Sequence, residues 1–184
     1  MAKVVVSQFI TVDGVVEDPG GSEGKDFGGW AFKYDRGPEG DKFKLDEVMG
    51  SESLLLGRTT YEGFAEAWPS REGEFADKFN GMRKYVVSST LGEPEWNNTE
   101  VIEVDDVRRL REEDGGDILV NGSVRLVAEL IEKGLVDELR LMVFPTVLGA
   151  GKRLFRDGTS ASLKLAESRA AGETLILIYE PRTG

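Results

Sequence analysis

The sequence predicts an α/β fold, a three-layer sandwich around a mostly parallel central sheet with an antiparallel C-terminal edge. Three observations carry that expectation. Short apolar runs alternate with stretches of helical spacing up to residue 143. The last β-rich segments then follow one another with no helix between them. Several apolar runs also pass directly into a small-residue turn and a helix, the signature of strand-to-helix units. A chain of 184 residues buries roughly 70% of its unfolded surface, enough for one core. No composition shift or repeat divides it, so residues 1–184 are expected to form a single domain.

Taken in order, residues 3–16 are β-rich, with Val4, Val5 and Val6 reading as a strand buried on both faces and Asp13-Gly14 as a bend. Residues 17–40 are polar and glycine-rich but carry Phe27, Trp30, Phe32 and Tyr34. So many aromatics point to a loop folded over something, since linkers rarely hold them. Phe43, Leu45, Val48 and Met49 give a helical stripe ending near Gly50, and Ser53 to Leu56 give a short buried strand. Tyr61, Phe64, Ala65 and Trp68 fall at helical spacing until Pro69 stops them. A short helix over 72–79 and a strand over 84–89 follow. Then come a strand over 100–104, a helix capped by Asp105 and running through 113, and a strand over 117–120. Val124, Val127, Leu130 and Ile131 line a helix that Gly134 ends. Strands over 139–143, 162–168 and 174–179 complete the chain.

Composition narrows the chemistry. There is no histidine and no cysteine. That excludes a Ser-His-Asp triad, a thiol nucleophile, a histidine base and any Cys/His zinc site. Magnesium on carboxylates stays possible in principle, but no acidic spacing asks for it, and no metal is expected. Thirty-four acidic against 23 basic residues leave a net charge of -11, which argues against nucleic-acid and membrane partners. The start, MAKVVVSQF, shows no long apolar segment, and a cytoplasmic protein is expected.

Three strand ends open helices, the places where α/β sheets bind ligands. At Gly57-Arg58-Thr59-Thr60, glycine permits close approach to the backbone and Arg58 presents a fork of donors suited to phosphate. A capped helix with an exposed arginine would read the same way. Ser88-Ser89-Thr90 offers three hydroxyls, with Arg58 or Lys84 nearby, although hydroxyls are also ordinary turn formers. Asn121-Gly122-Ser123 combines a flexible glycine with a helix cap, again compatible with a diphosphate or with a tight turn alone. No segment matches GxGxxG or a P-loop. Residues 145–151 form a shaped loop, and Lys152 and Arg153 behind it supply charge for a substrate phosphate or carboxylate, or simply end a connection.

These residues resemble the dihydrofolate-reductase-like superfamily. The closest branch is the reductase domain of bacterial riboflavin-biosynthesis deaminase-reductase proteins, here in stand-alone form. The likeness runs over nearly the whole chain. It rests on residues 11–16 (TVDGVV), residues 56–62 (LGRTTYE), the strand 84–89, residues 119–123 (LVNGS) through 139, and 145–155 (PTVLGAGKRLF). It implies a dihydrofolate-reductase-like fold and an NADPH-dependent reductase, often a homodimer, with the tail strands and Trp68 or Trp96 as possible interface. By position, Gly57, Arg58 and Thr59 would hold cofactor phosphates. Ser88 and Ser89 would lie by the adenosine 2′-phosphate with Arg58, and Asn121, Gly122 and Ser123 by the diphosphate. Val15 and Val16 would line the nicotinamide, and Trp30 would stand beside the reaction centre.

Two positions depart from the family pattern. Asn121 stands where the family usually has a first glycine. The acid expected after the tryptophan falls on Asp35, in an apparent loop, with Asp46 and Glu47 as alternatives on the next helix and Asp13 as another carboxylate able to organise water. The expected activity is reduction of a small heterocyclic or ribosylamino/imine-type substrate, with Lys152 or Arg153 neutralising a substrate anion. Hydride chemistry belongs to the cofactor, which is how a chain without histidine or cysteine can be catalytic. The other reading is a non-catalytic nucleotide- or small-ligand-binding regulatory module on the same fold.

Overall fold

The computed structural model describes residues 1–113 and 115–182. Its strands are β1 (Val4–Thr11), β2 (Ser51–Gly57), β3 (Arg83–Val87), β4 (Thr99–Ile102), β5 (Asp117–Val120), β6 (Glu138–Phe144), β7 (Leu163–Ala171) and β8 (Thr174–Pro181). Its helices are α1 (Gly37–Gly50), α2 (Arg58–Ala67), α3 (Glu74–Gly81), α4 (Val107–Glu112) and α5 (Val124–Glu132). The strands make one eight-stranded sheet in the order β4-β3-β2-β5-β1-β6-β8-β7. The first six are parallel, and β8 and then β7 add antiparallel beyond β6.

Alternation along each strand feeds two cores. Val4 and Val6 pack with Leu55, Ile118, Val120 and the inner faces of α4 and α5, including Val107, Leu126, Val127 and Leu130. Val5 points the other way, into a layer with Leu54, Leu56, Val86, Leu119, Tyr61 of α2 and Phe79 of α3. An unbroken apolar run is therefore required, because neither face of these strands meets water. A third cluster lies toward the antiparallel edge, where Trp30, Phe43, Phe144 and Ile176 meet.

Local differences from the sequence expectation have simple causes. The strand at the N-terminus ends at Thr11, and beyond it only Val15 pairs, through a single antiparallel bridge to Arg153. The 3-10 turn at Val104–Asp106 that leads into the fourth helix is capped by Glu103, whose carboxylate and that of Asp106 form a reciprocal box; α4 itself starts after Asp106 without a side-chain cap. Asp105 instead pairs with Lys133. Residues 17–30 fold around buried Asp18, whose Oδ1 and Oδ2 accept from the amides of Glu23 and Lys25 and whose carbonyl accepts from Gly21 and Gly29.

Lys84 is fully buried and far from the role of a phosphate ligand. Its Nζ donates to the carbonyls of Asn80 at 3.0 Å, Met82 at 2.9 Å and Asn97 at 3.1 Å, under the Trp96 ring. Loss of hydration pushes its pKa down to about 8. Between that value and the ordinary 10.5 of lysine, the folded chain holds fewer protons than the unfolded one, so this group makes stability rise with pH. Denaturant unfolding across pH 8 to 10.5 should show that rise in the wild type. Lys84→Met should lose it, and equal slopes for both proteins would refute the assignment.

Candidate functional site

The carboxyl ends of β3, β2, β5, β1 and β6 form a continuous row. In such a sheet this edge is where turns and helix starts converge. Gly57 ends β2 and precedes α2, and Ser123 precedes α5. The two turns interlock. The Gly57 amide donates to the Gly122 carbonyl at 3.4 Å, and a Cβ on Gly57 would lie 2.3 Å from Ser123 Oγ. A Cβ on Gly122 would fall 2.9 Å from Thr60 Oγ1, and Gly122 has φ of 114° across a cis bond to Ser123. Glycine at 57 is thus demanded first by Ser123. Gly122 alone takes the positive φ, which is why Asn121 fits where a glycine was expected.

Arg58 carries this junction to the next strand end. Its Nη1 donates to Thr90 Oγ1 at 2.7 Å and its Nε to Glu62 Oε1 at 2.8 Å. Ser88 Oγ in turn accepts from the amides of Thr90 and Leu91. Thr59 and Ser89 are exposed beside them. The first turn of α2 has no side-chain cap, whereas Ser123 caps α5 through the Leu126 amide. Open amides at a ten-residue helix, a guanidinium and several hydroxyls suit the phosphates of a dinucleotide. The donor set therefore fits the nicotinamide cofactor implied by the sequence resemblance.

A second group follows β1 and β6. Thr11 Oγ1 donates to Asp13 Oδ1 at 2.6 Å, and the amides of Leu148 and Gly149 donate to the same carboxylate. The Thr11 hydrogen bond, helped by those amides against a modest cost of burial, lowers Asp13 to about 2. Asp13 is thereby a clamp on the loop after β6, kept ionised. Val15 and Val16 are buried, and their backbone closes the turn through Thr11 and Lys152. Arg153 Nε donates to the Asp13 carbonyl. The Lys152 amide and ammonium both bind buried Glu17. Burial opposes the Glu17 charge, but Lys152 and Lys25 outweigh it and hold the group below its ordinary range. The heads of Lys152 and Arg153 nonetheless stay about half exposed or more, at 63% and 52%.

Two further predicted positions are fixed by other contacts. Trp30 is 1% exposed, donates Nε1 to the Glu17 carbonyl at 2.9 Å and meets the ring of Phe144, at the carboxyl end of β6, edge-on. Its side chain is sealed beneath the second group. Asp35 is exposed, its Oδ1 accepting from Gly37 at the start of α1 and its backbone joined to Glu173 at the β7–β8 turn. Of the alternative acids, Asp46 pairs with Lys42 on the surface. Glu47 is buried and ringed by Ser7, Lys44 and Arg140. The sequence offers Thr90 as one of three hydroxyls after β3 but assigns no separate role to Glu62. The four-residue spacing of Arg58 and Glu62 on one helix was the available signal.

Two measurements test these assignments. Gly57→Ala should cost on the order of 1–3 kcal/mol in unfolding experiments, as an overpacked core position does. Adding Ser123→Ala should recover part of that loss, and additive losses would remove the interlock. Asp13 contributes stability above its unfolded value of 3.8, lost as pH falls toward about 2. Asp13→Asn should be less stable than wild type at pH 5 and converge with it near pH 2; a constant difference would deny the clamp its charge.

Comparisons with known proteins agree with this layout. The uncharacterized protein YyaP of Bacillus subtilis (strain 168) is 27% identical over 186 residues, covering 96% of this chain and 93% of its own. YwjB of the same organism is 26% identical over 184 residues, covering 96% and 97%. A crystal structure of a protein from Shewanella sp. PV-4, provisionally named for riboflavin biosynthesis, superposes with a TM-score of 0.78 at 19% identity over 100% of both chains. That likeness shows the shared fold, the dihydrofolate-reductase-like sandwich. The RibD C-terminal domain profile matches residues 2–177. This chain therefore belongs to the RibD C-terminal domain family.

Proposed function

We infer that the protein is an NADPH-dependent reductase of a small heterocyclic substrate, with the nucleotide laid along the turns from Ser88 to Val16. The observation that carries this reading is the Arg58 bridge from the uncapped start of α2 to the Ser88–Thr90 turn, directly above the Gly57–Ser123 interlock. Bound there, the reduced nicotinamide would supply the hydride.

The chain's own part is to hold and to exclude. Arg58, Ser88 and Ser89 would take the adenosine-side phosphate. The amides of Thr59 and Thr60, with those opening α5 behind Asn121, Gly122 and Ser123, would take the diphosphate. Val15 and Val16 turn their side chains inward, so their role is to fix the backbone against which the nicotinamide lies. Asp13 positions the loop after β6 and, being ionised, donates no proton. Asp35 is tied to the start of α1, and we assign the proton of the reduced bond to solvent in the crevice. Lys152, whose amide and ammonium hold Glu17, and Arg153, whose Nε is on the Asp13 carbonyl, keep half-exposed heads that would face an anionic group of the substrate. A homodimer would draw on β7 and β8, which expose Leu165 and Leu175, because Trp96 is buried and Trp68 is stacked on Phe79.

No helix among the described residues is long and apolar enough to cross a membrane. The one observation that favours the binding-module reading is that the candidate acids Asp13, Asp35, Asp46 and Glu47 are each engaged by hydroxyl, amide or cation partners. Titration with NADPH and NADH, followed by a turnover screen of imines and heterocyclic carbonyls, separates the two. NADPH binding and oxidation are expected. Arg58→Ala should weaken NADPH several-fold more than NADH, because a charge-assisted phosphate contact is lost. No binding of either nucleotide overturns the reading. Binding without oxidation throughout the screen would leave the binding module in its place.

A further inference from the structure

Glu62 sits on the guanidinium that the proposed function assigns to the adenosine 2′-phosphate. Its Oε1 accepts from Arg58 Nε at 2.8 Å, one helical turn along α2, and both side chains are about half exposed. Arg58 has five N–H groups. One is spent on Glu62 and one on Thr90, so the Nη edge still has donors to offer. The geometry of phosphate recognition is intact; its charge is not. A dianion arriving here meets an ion pair of zero net charge.

The cations of β3 and of the segment just after α2 are placed elsewhere. Lys84 of β3 is buried with its ammonium on three carbonyls. Arg83 lies at the amino end of the same strand. Arg71, beyond α2, is stacked over Trp68. The carboxylate at 62 therefore repels a 2′-phosphate at close range within a chain of net charge -11, while a 2′-hydroxyl at that position feels almost none of it.

We propose that Glu62 is a specificity-determining residue that restrains the preference for NADPH over NADH by neutralising Arg58. The proposal rests on the nucleotide occupying the crevice as described above. It also explains why a site so rich in hydroxyls suffices: Ser88, Ser89 and Thr90 serve either nucleotide, and the charge at 62 sets the balance between them.

The test is direct binding of NADPH and NADH, by calorimetry or nicotinamide fluorescence, to the wild type, Glu62→Gln, Glu62→Ala and Asp46→Asn. Glutamine keeps an acceptor for Arg58 Nε and removes only the charge. It should tighten NADPH about tenfold, in the range expected for relieving one like charge at short distance, and change NADH by less than about twofold. The gain should shrink as salt is raised. Asp46→Asn, an equal change in net charge on exposed α1, should leave the NADPH-to-NADH ratio as in wild type. If Glu62 merely orients Arg58, glutamine will bind both nucleotides like wild type and alanine will weaken NADPH; that pattern overturns the proposal. A wild type that binds neither nucleotide overturns the reading beneath it, a result distinct from NADPH binding that Glu62→Gln fails to strengthen.

Discussion

The molecule is organised around the contact between two strand-to-helix turns, one after β2 and one after β5. Parallel pairing of these strands places Gly57 against Ser123 and Gly122 against Thr60, leaving no room for a side chain at either glycine. With the backbones that close, the start of α2 points its uncapped amides along the sheet edge and Arg58 reaches the turn after β3. The donors along this sheet edge are thus positioned by packing within the chain itself, the condition under which binding avoids the cost of ordering loops.

The turns after β1 and β6 are held by acids as well as by apolar packing. Asp13, Glu17 and Asp18 follow β1 within seven residues, and each spends its carboxylate on backbone amides. Such amides have no strand partner, and leaving them unpaired near a buried turn would cost more than the carboxylates do. This is why the long segment before α1 is ordered despite its glycines, and why Trp30 can be sealed beneath it with its indole on the Glu17 carbonyl. The abundance of acidic residues is partly architectural here.

Much of the layout was legible beforehand because it depends on local rules. Val4 to Val6 and Leu54 to Leu56 announced strands covered on both faces, Ser123 announced a helix cap, and Gly134 a helix end. The motif 56–62 placed the Arg58 turn at a strand end. Lys84 could not be read in the same way: on an isolated strand it looks like a charge near Ser88, but burial sends its ammonium to three carbonyls contributed by residues 80–97. Asp13 and Asp35 both looked like available acids. What separates them is what each carboxylate meets: Asp13 holds the amides of Leu148 and Gly149, far along the chain, whereas Asp35 accepts from Gly37 two residues on and donates its own amide to Glu173.

By itself, the order of residues determined the alternation of strands and helices, the absence of histidine and thiol chemistry, and the family, since each follows from periodicity, composition or local motif. Tertiary structure decided which charges are free. Whether a carboxylate is a clamp, a counter-ion or an accessible acid depends on partners brought together by sheet order, and electrostatic and hydrogen-bond energies fall off over a few ångströms of space, whatever the separation in sequence.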